Sequence, residues 1–146
     1  MDAETGGVGD DVVPIPHPYP PDELGLTRLG QDICLELLSA STIGRLALTF
    51  AALPLIVPVM FSLEGTSIVL AADGGPEGAA VRADAVATLL VDDFRPSGGW
   101  SVLATGPLKK ATTLDGDRFP SPLSRSGSTL ELPITMLSGW EHPIRG

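Results

Sequence analysis

Cysteine occurs once in these 146 residues, histidine twice and lysine twice, and aromatic residues make up only 5%. A lone Cys34 cannot close an internal disulfide, and its place on an apolar helical stripe suits a small buried hydrophobe better than a reactive thiol. The reducing cytoplasm is the expected location. His17 and His142 stand far apart in the chain, so no cluster has metal-ligand spacing and no metal site is expected. Cations number nine against eighteen carboxylates, a formal charge of -9 and a pI near 4.4. That balance leaves no broad cationic face for a phosphate backbone, which argues against nucleic acid as a partner. Long hydrophobic runs are also missing. The most membrane-like stretch, residues 46–61, is shorter than the ~20 residues of a spanning helix and is interrupted by Pro54 and Pro58. The acidic start lacks the basic and apolar regions of a signal peptide. No repeat, nucleophile elbow, phosphate-binding Walker loop or Cys-His arrangement occurs.

What is present is enough hydrophobic residue, 43%, for one cored domain. Residues 1–28 form a Pro- and Gly-rich arm, with "VVPIPHPYPPDE" favouring extended, flexible chain; residues 29–146 form the folded domain. Asp32 is the expected N-cap of a short helix over "ICLELLSAS", with Ile33, Leu37, Cys34 and Leu38 as its stripe. "IGRLALTF" alternates with period two, a turn at Ala51-Ala52 follows, and "PLIVPVMFSL" is the next strand. Gly65 supplies the positive φ of a hairpin into "TSIVLAAD". A short helix in "EGAAVRADA" then precedes "VATLLVDDF", "WSVLATGPLKKAT" and a last strand, "TLELPITMLSGW", with an irregular loop at 113–128. The fold expected is mainly β: a six-stranded antiparallel barrel with two or three short helices, since closure removes aggregation-prone edges.

Residues 74–83, "GGPEGAAVRA", lie between a strand and a helix, where backbone N–H groups can cradle a phosphate. The charge planted there is Glu77. Asp92-Asp93 reads as a solvated strand end, and Lys109-Lys110 as another. Arg45 and Arg82 are the cations within reach of an anion, Arg82 reading more simply as a solvated helix residue.

The strings "CLELLSASTIGRLALTF", "LPLIVPVMFSLEGTSIVL", "VATLLVDDFRPSGGWSVLATGPL" and, more faintly, "LPITMLSGW" resemble, in their order and spacing, the pyridoxamine 5'-phosphate oxidase-like flavin-binding split barrels, and among them the short actinobacterial-type members. The resemblance implies a split barrel that dimerises, with two FMN sites in interfacial grooves and the flavin carrying the hydride. It places the flavin ring near Val57, Pro58, Val59 and Met60, and the phosphate near Leu70, Ala71, Ala72, Gly74, Gly75 and Glu77, with Arg45 within reach. Trp100 and Ser101 would come from the partner subunit.

Three departures follow. Met60 stands where many relatives carry Asn, which removes two donors and an acceptor from the implied ring site. Glu77 stands where they carry Lys or Arg, and Thr105 stands where a basic residue is frequent. A like-charge pair ~4 Å apart costs about 1 kcal/mol in water and roughly 4 kcal/mol at an effective dielectric of 20. Two functions are therefore open: an FMN- or deazaflavin-dependent oxidoreductase acting on a small organic substrate, or a cofactor-free split-barrel homodimer that binds a small ligand or a protein. In the second, Met60, Val59, Leu70 and Trp100 would line an apolar groove.

Overall fold

The computed structural model describes residues 13–17, 25–72, 85–111 and 128–143. Nine strands and one helix run in the order β1 (Thr27–Leu29), α1 (Gln31–Ser39), β2 (Ile43–Phe50), β3 (Leu53–Glu64), β4 (Ser67–Ala72), β5 (Val86–Arg95), β6 (Gly98–Pro107), β7 (Lys109–Lys110), β8 (Ser128–Pro133) and β9 (Met136–His142). Every strand pair is antiparallel, and the lateral order is β1-β9-β6-β5-β2-β3-β4-β8-β7. The sheet curls into a split barrel of nine strands rather than six. The expected helix in residues 77–85 falls almost wholly outside the described residues, as does most of the 113–128 loop.

Period-two alternation makes the core. In β2, Gly44, Leu46 and Leu48 are buried while Ile43, Arg45, Ala47 and Thr49 are exposed. The inward set continues through Val59 and Phe61 of β3, Ile68 and Leu70 of β4, Leu89 and Val91 of β5 and Val102 and Ala104 of β6. Helix α1 covers this inner side with Cys34 and Leu38, both fully buried. Gly139 makes that docking possible, because a Cβ there would stand 2.7 Å from Cys34 Sγ. The N-cap is Gly30, not Asp32. Asp32 lies in the first turn, where its charge still suits the positive end of the helix dipole.

The β2–β3 hairpin turns on Ala51 and Ala52 at φ 52° and 64°, and the β3–β4 hairpin on Gly65 at φ 63°. Two further expectations change. "WSVLATGPLKKAT" breaks at Leu108, which is buried and gives its N–H to Ala85 O. "TLELPITMLSGW" is two strands, because Ile134 N–H and Thr135 N–H bond to Thr66 O and Thr105 O across the barrel. Thus β8 joins β4 while β9 joins β6. That crossing closes the barrel at Gly106, where a Cβ would lie 1.8 Å from Pro133 O. Ile15 bridges Met136, and His17 N–H bonds to Ser138 Oγ, so residues 13–17 and β1 both follow the free edge of β9.

Candidate functional site

The outer face of the sheet carries the residues that the core does not take. Directly opposed residues of antiparallel strands share a face, so the registers define lateral rows. One row runs Arg28, Trp140, Ser101, Asp92 on β1, β9, β6 and β5. By the same alternation, the opposed pairs Ile43 and Met60 on β2 and β3 and Ala71 and Thr129 on β4 and β8 fall on this face. The adjacent row holds Arg45 with Pro58 and Leu90. Arg45 spans the two rows diagonally, its Nη1 3.9 Å from Asp92 Oδ1.

The expected site residues therefore divide by face. Arg45, Pro58, Met60, Ala71 and Ser101 share the outer face; Val57, Val59, Leu70 and Trp100 point to the inner side. Val59 and Leu70 are 6% and 1% exposed, so they belong to the core. The apolar groove expected of Met60, Val59, Leu70 and Trp100 does not form, because odd and even positions of a strand cannot line one surface. Ala72 closes β4, and Gly74, Gly75 and Glu77 lie beyond it, outside the described residues. Ser101 and Met60 share a face but are three strand spacings apart, roughly 14 Å.

Sequence reasoning passed over Thr129. It is 7% exposed, and its Oγ1 is buried without a hydrogen-bond partner. It stands directly opposite Ala71. Only the register of β8 on β4 exposes this; a threonine opening "TLELP" carries no local signal. Thr88 and Thr105 satisfy each other on the same face at 2.8 Å. Ser101 Oγ lies 3.0 Å from His142 Nε2, and the His142 ring meets Phe94 edge-on with centroids 4.7 Å apart. Asp93 holds Arg95 of its own strand at 3.1 Å while Asp92 reaches Arg45 on β2, so the Asp92-Asp93 pair belongs to two separate ion pairs rather than a free strand end. The Cys34 thiol is pushed up to about 11, first by burial and then by the nearby Asp32. Among the described residues no three His, Cys, Asp or Glu side chains form a metal-binding group, and no helix is long and apolar enough to cross a membrane.

A family model described as pyridoxamine 5'-phosphate oxidase matches residues 30–118, more than half of the chain. The chain belongs to the pyridoxamine 5'-phosphate oxidase family. Solved structures agree on the fold. An FAD-binding protein from Mesorhizobium loti superposes with a TM-score of 0.66 at 21% identity, covering 80% of this chain and 97% of that one. The FAD-binding protein from Mycobacterium smegmatis gives 0.63 at 19% identity, with 80% and 97% covered. An FAD- and heme-binding protein from the same organism gives 0.62 at 16% identity, with 80% and 73% covered. No curated protein matches the sequence.

Within this pyridoxamine 5'-phosphate oxidase-family fold, the described residues at the implied ring position are Met60 on β3 and Ala71 on β4, with Thr129 of β8 opposite Ala71. Met60, Ala71 and Thr129 offer a half-buried thioether, a small side chain and an orphaned hydroxyl. A polar group buried without a partner costs about 1–3 kcal/mol, and both Thr129 Oγ1 and, on the same face, Trp140 Nε1 stand so, each closed off from solvent. Among the described residues, Arg45 is the cation on the neighbouring row, with its side chain 62% exposed.

Proposed function

We propose that the chain is a flavin-dependent oxidoreductase acting as a homodimer on a small organic substrate, with the flavin ring on the outer face around Met60, Ala71 and Thr129. The observation that carries this reading is the unpartnered Thr129 Oγ1 beside Ala71. The flavin supplies two-electron hydride chemistry when bound. The chain's part is to bind and orient it: Thr129 hydrogen-bonds the ring system, and the Met60 side chain excludes water from it. FAD is favoured over FMN and over a deazaflavin. Structural relatives are FAD-binding proteins, and FAD spreads its charge over two singly charged phosphates where FMN concentrates it on one. That spread suits a phosphate loop that carries Glu77.

Dimerisation is supported by the same face. Ile56, Ile43, Val86 and Phe94 are 69%, 63%, 63% and 57% exposed there, an apolar cover more extensive than a solvated sheet face needs. An isologous two-fold contact would bring Ser101 of one protomer toward Met60 of its partner, a closeness that their separation of roughly 14 Å within one chain denies.

The test is absorbance of the purified protein followed by titration with FAD, FMN and a 5-deazaflavin, read by flavin fluorescence. Micromolar FAD binding is expected. Thr129→Val should weaken it about fivefold, one hydrogen bond of about 1 kcal/mol, without loss of stability. Ile56→Glu should give monomers by sedimentation. A protein indifferent to all three flavins overturns the enzyme reading and leaves a cofactor-free binding module, which Met60 and Glu77 favour.

A further inference from the structure

A cleft of about 700 Å³ opens on the other side of the sheet, between α1 and the end of the β5–β6 hairpin. We propose that it is a second small-molecule site, selective for an apolar or aromatic body that carries a cationic head. The volume is that of a small-ligand pocket. Its floor is a lateral row on the inner face: Thr27, Glu141, Trp100 and Asp93, which oppose one another in register across β1, β9, β6 and β5. All four line the cleft, and Leu29, Ile33 and Leu37 form the apolar wall opposite.

Charge sets the head group. The half-buried indole of Trp100 is flanked by a carboxylate on each side, Asp93 on β5 and Glu141 on β9. Asp93 is occupied: Arg95 Nε and Nη2 donate to its Oδ2 at 3.2 and 3.1 Å. That contact also spends the one guanidinium among the described residues that line the cleft. His142 is turned to Ser101 Oγ. Glu141 is exposed, and among the described residues no cation pairs with it. The uncompensated charge at the aromatic wall is therefore negative, and an indole face beside it attracts a cation further. A carboxylate or phosphate ligand would meet repulsion instead. Gly99 keeps the wall thin, since a Cβ there would stand 2.4 Å from the Phe94 ring and 2.7 Å from Asp93 O. Trp100 and the helix residues place this cleft on the side of the sheet away from Met60, Ala71 and Thr129, so the inference does not depend on flavin binding.

A matched series tests it: 3-phenylpropylamine, 3-phenylpropan-1-ol and 3-phenylpropionate, titrated into the full chain at low salt and followed by amide and indole chemical shifts. The ammonium compound should perturb Gly98, Gly99, Glu141 and the Trp100 indole, and bind about fivefold more tightly than the alcohol, with the carboxylate weaker still. Glu141→Gln, an exposed substitution, should abolish the ammonium preference and leave the alcohol unchanged. Saturating FAD should leave the ammonium affinity as it is. Equal affinities across the series, shifts away from the cleft, an ammonium preference that survives Glu141→Gln, or displacement by FAD would each overturn the proposal.

Discussion

Gly106→Ala tests the closure on which the outer-face rows depend. The added Cβ would lie 1.8 Å from Pro133 O, against an ordinary contact of at least 3.4 Å. The β8–β9 crossing would have to retreat by the difference, 1.6 Å. Two backbone bonds anchor that crossing, Thr135 N–H to Thr105 O at 2.8 Å and Ile134 N–H to Thr66 O at 3.0 Å. Neither survives such a shift. Losing both removes about 2 kcal/mol, and forced overpacking adds roughly 1–3 kcal/mol. The expected destabilisation is therefore about 3–5 kcal/mol, a large share of a typical domain's stability. For a chain of this size it corresponds to a fall in Tm of roughly 10 °C or more. Gly65→Ala is the control: its φ of 63° strains an alanine, yet nothing lies within 4 Å of the added Cβ, so the cost is about 1 kcal/mol. Urea denaturation of both variants, followed by circular dichroism, gives the comparison. Equal costs at the two glycines would refute the close crossing of β6 and β8.

Replacing the Ala51-Ala52 turn by Asn-Gly should stabilise the protein by about 1–2 kcal/mol, because two alanines now hold positive φ in a two-residue hairpin; an unchanged denaturation midpoint would contradict the strain. Cys34 favours the neutral thiol in the fold, since its value of about 11 lies above the ordinary thiol value. The unfolded chain then binds fewer protons between those values, so stability should fall as pH rises from about 9 to 11, by about 1 kcal/mol at pH 10. Cys34→Ser should flatten that slope, and the folded wild type should resist alkylation at pH 8; rapid alkylation would show that the thiol is reached without unfolding.

Much of the architecture was legible because alternation is local. Strand β2 over Ile43–Phe50, the turn at Ala51-Ala52 and the hairpin at Gly65 follow from period two and turn chemistry. The division of "TLELPITMLSGW" was not legible, since Leu130, Leu132, Ile134 and Leu137 are all buried and hydrophobicity runs unbroken through a bend set by Thr66 and Thr105, residues distant in sequence. Asp32 failed as a cap for a different reason: the helix starts two residues earlier, and an acidic side chain serves the first turn as well as the cap. The candidate site was half legible. Arg45, Met60 and Ala71 share one face; Asp93 opposite Trp100 is a local hairpin contact, whereas Thr129 beside Ala71 and Glu141 beside Trp100 exist only through pairings across long sequence separations.

The same alternation gives a thin sheet two surfaces of opposite character near its β5–β6 hairpin. On β5, Asp92 faces outward and reaches Arg45, while its neighbour Asp93 faces inward and holds Arg95. On β6, Ser101 faces outward toward His142 while Trp100 turns into the cleft. Two adjacent residues on each strand thus serve different surfaces, and a one-residue slip in the β5–β6 register would exchange them. Glycine guards that register: Gly98 opens β6 at φ 120°, and Gly99 sits too close to Phe94 and Asp93 O for any side chain. The short string "GGW" is therefore a register lock before it is a ligand contact, and it fixes which aromatic and which carboxylate each surface receives.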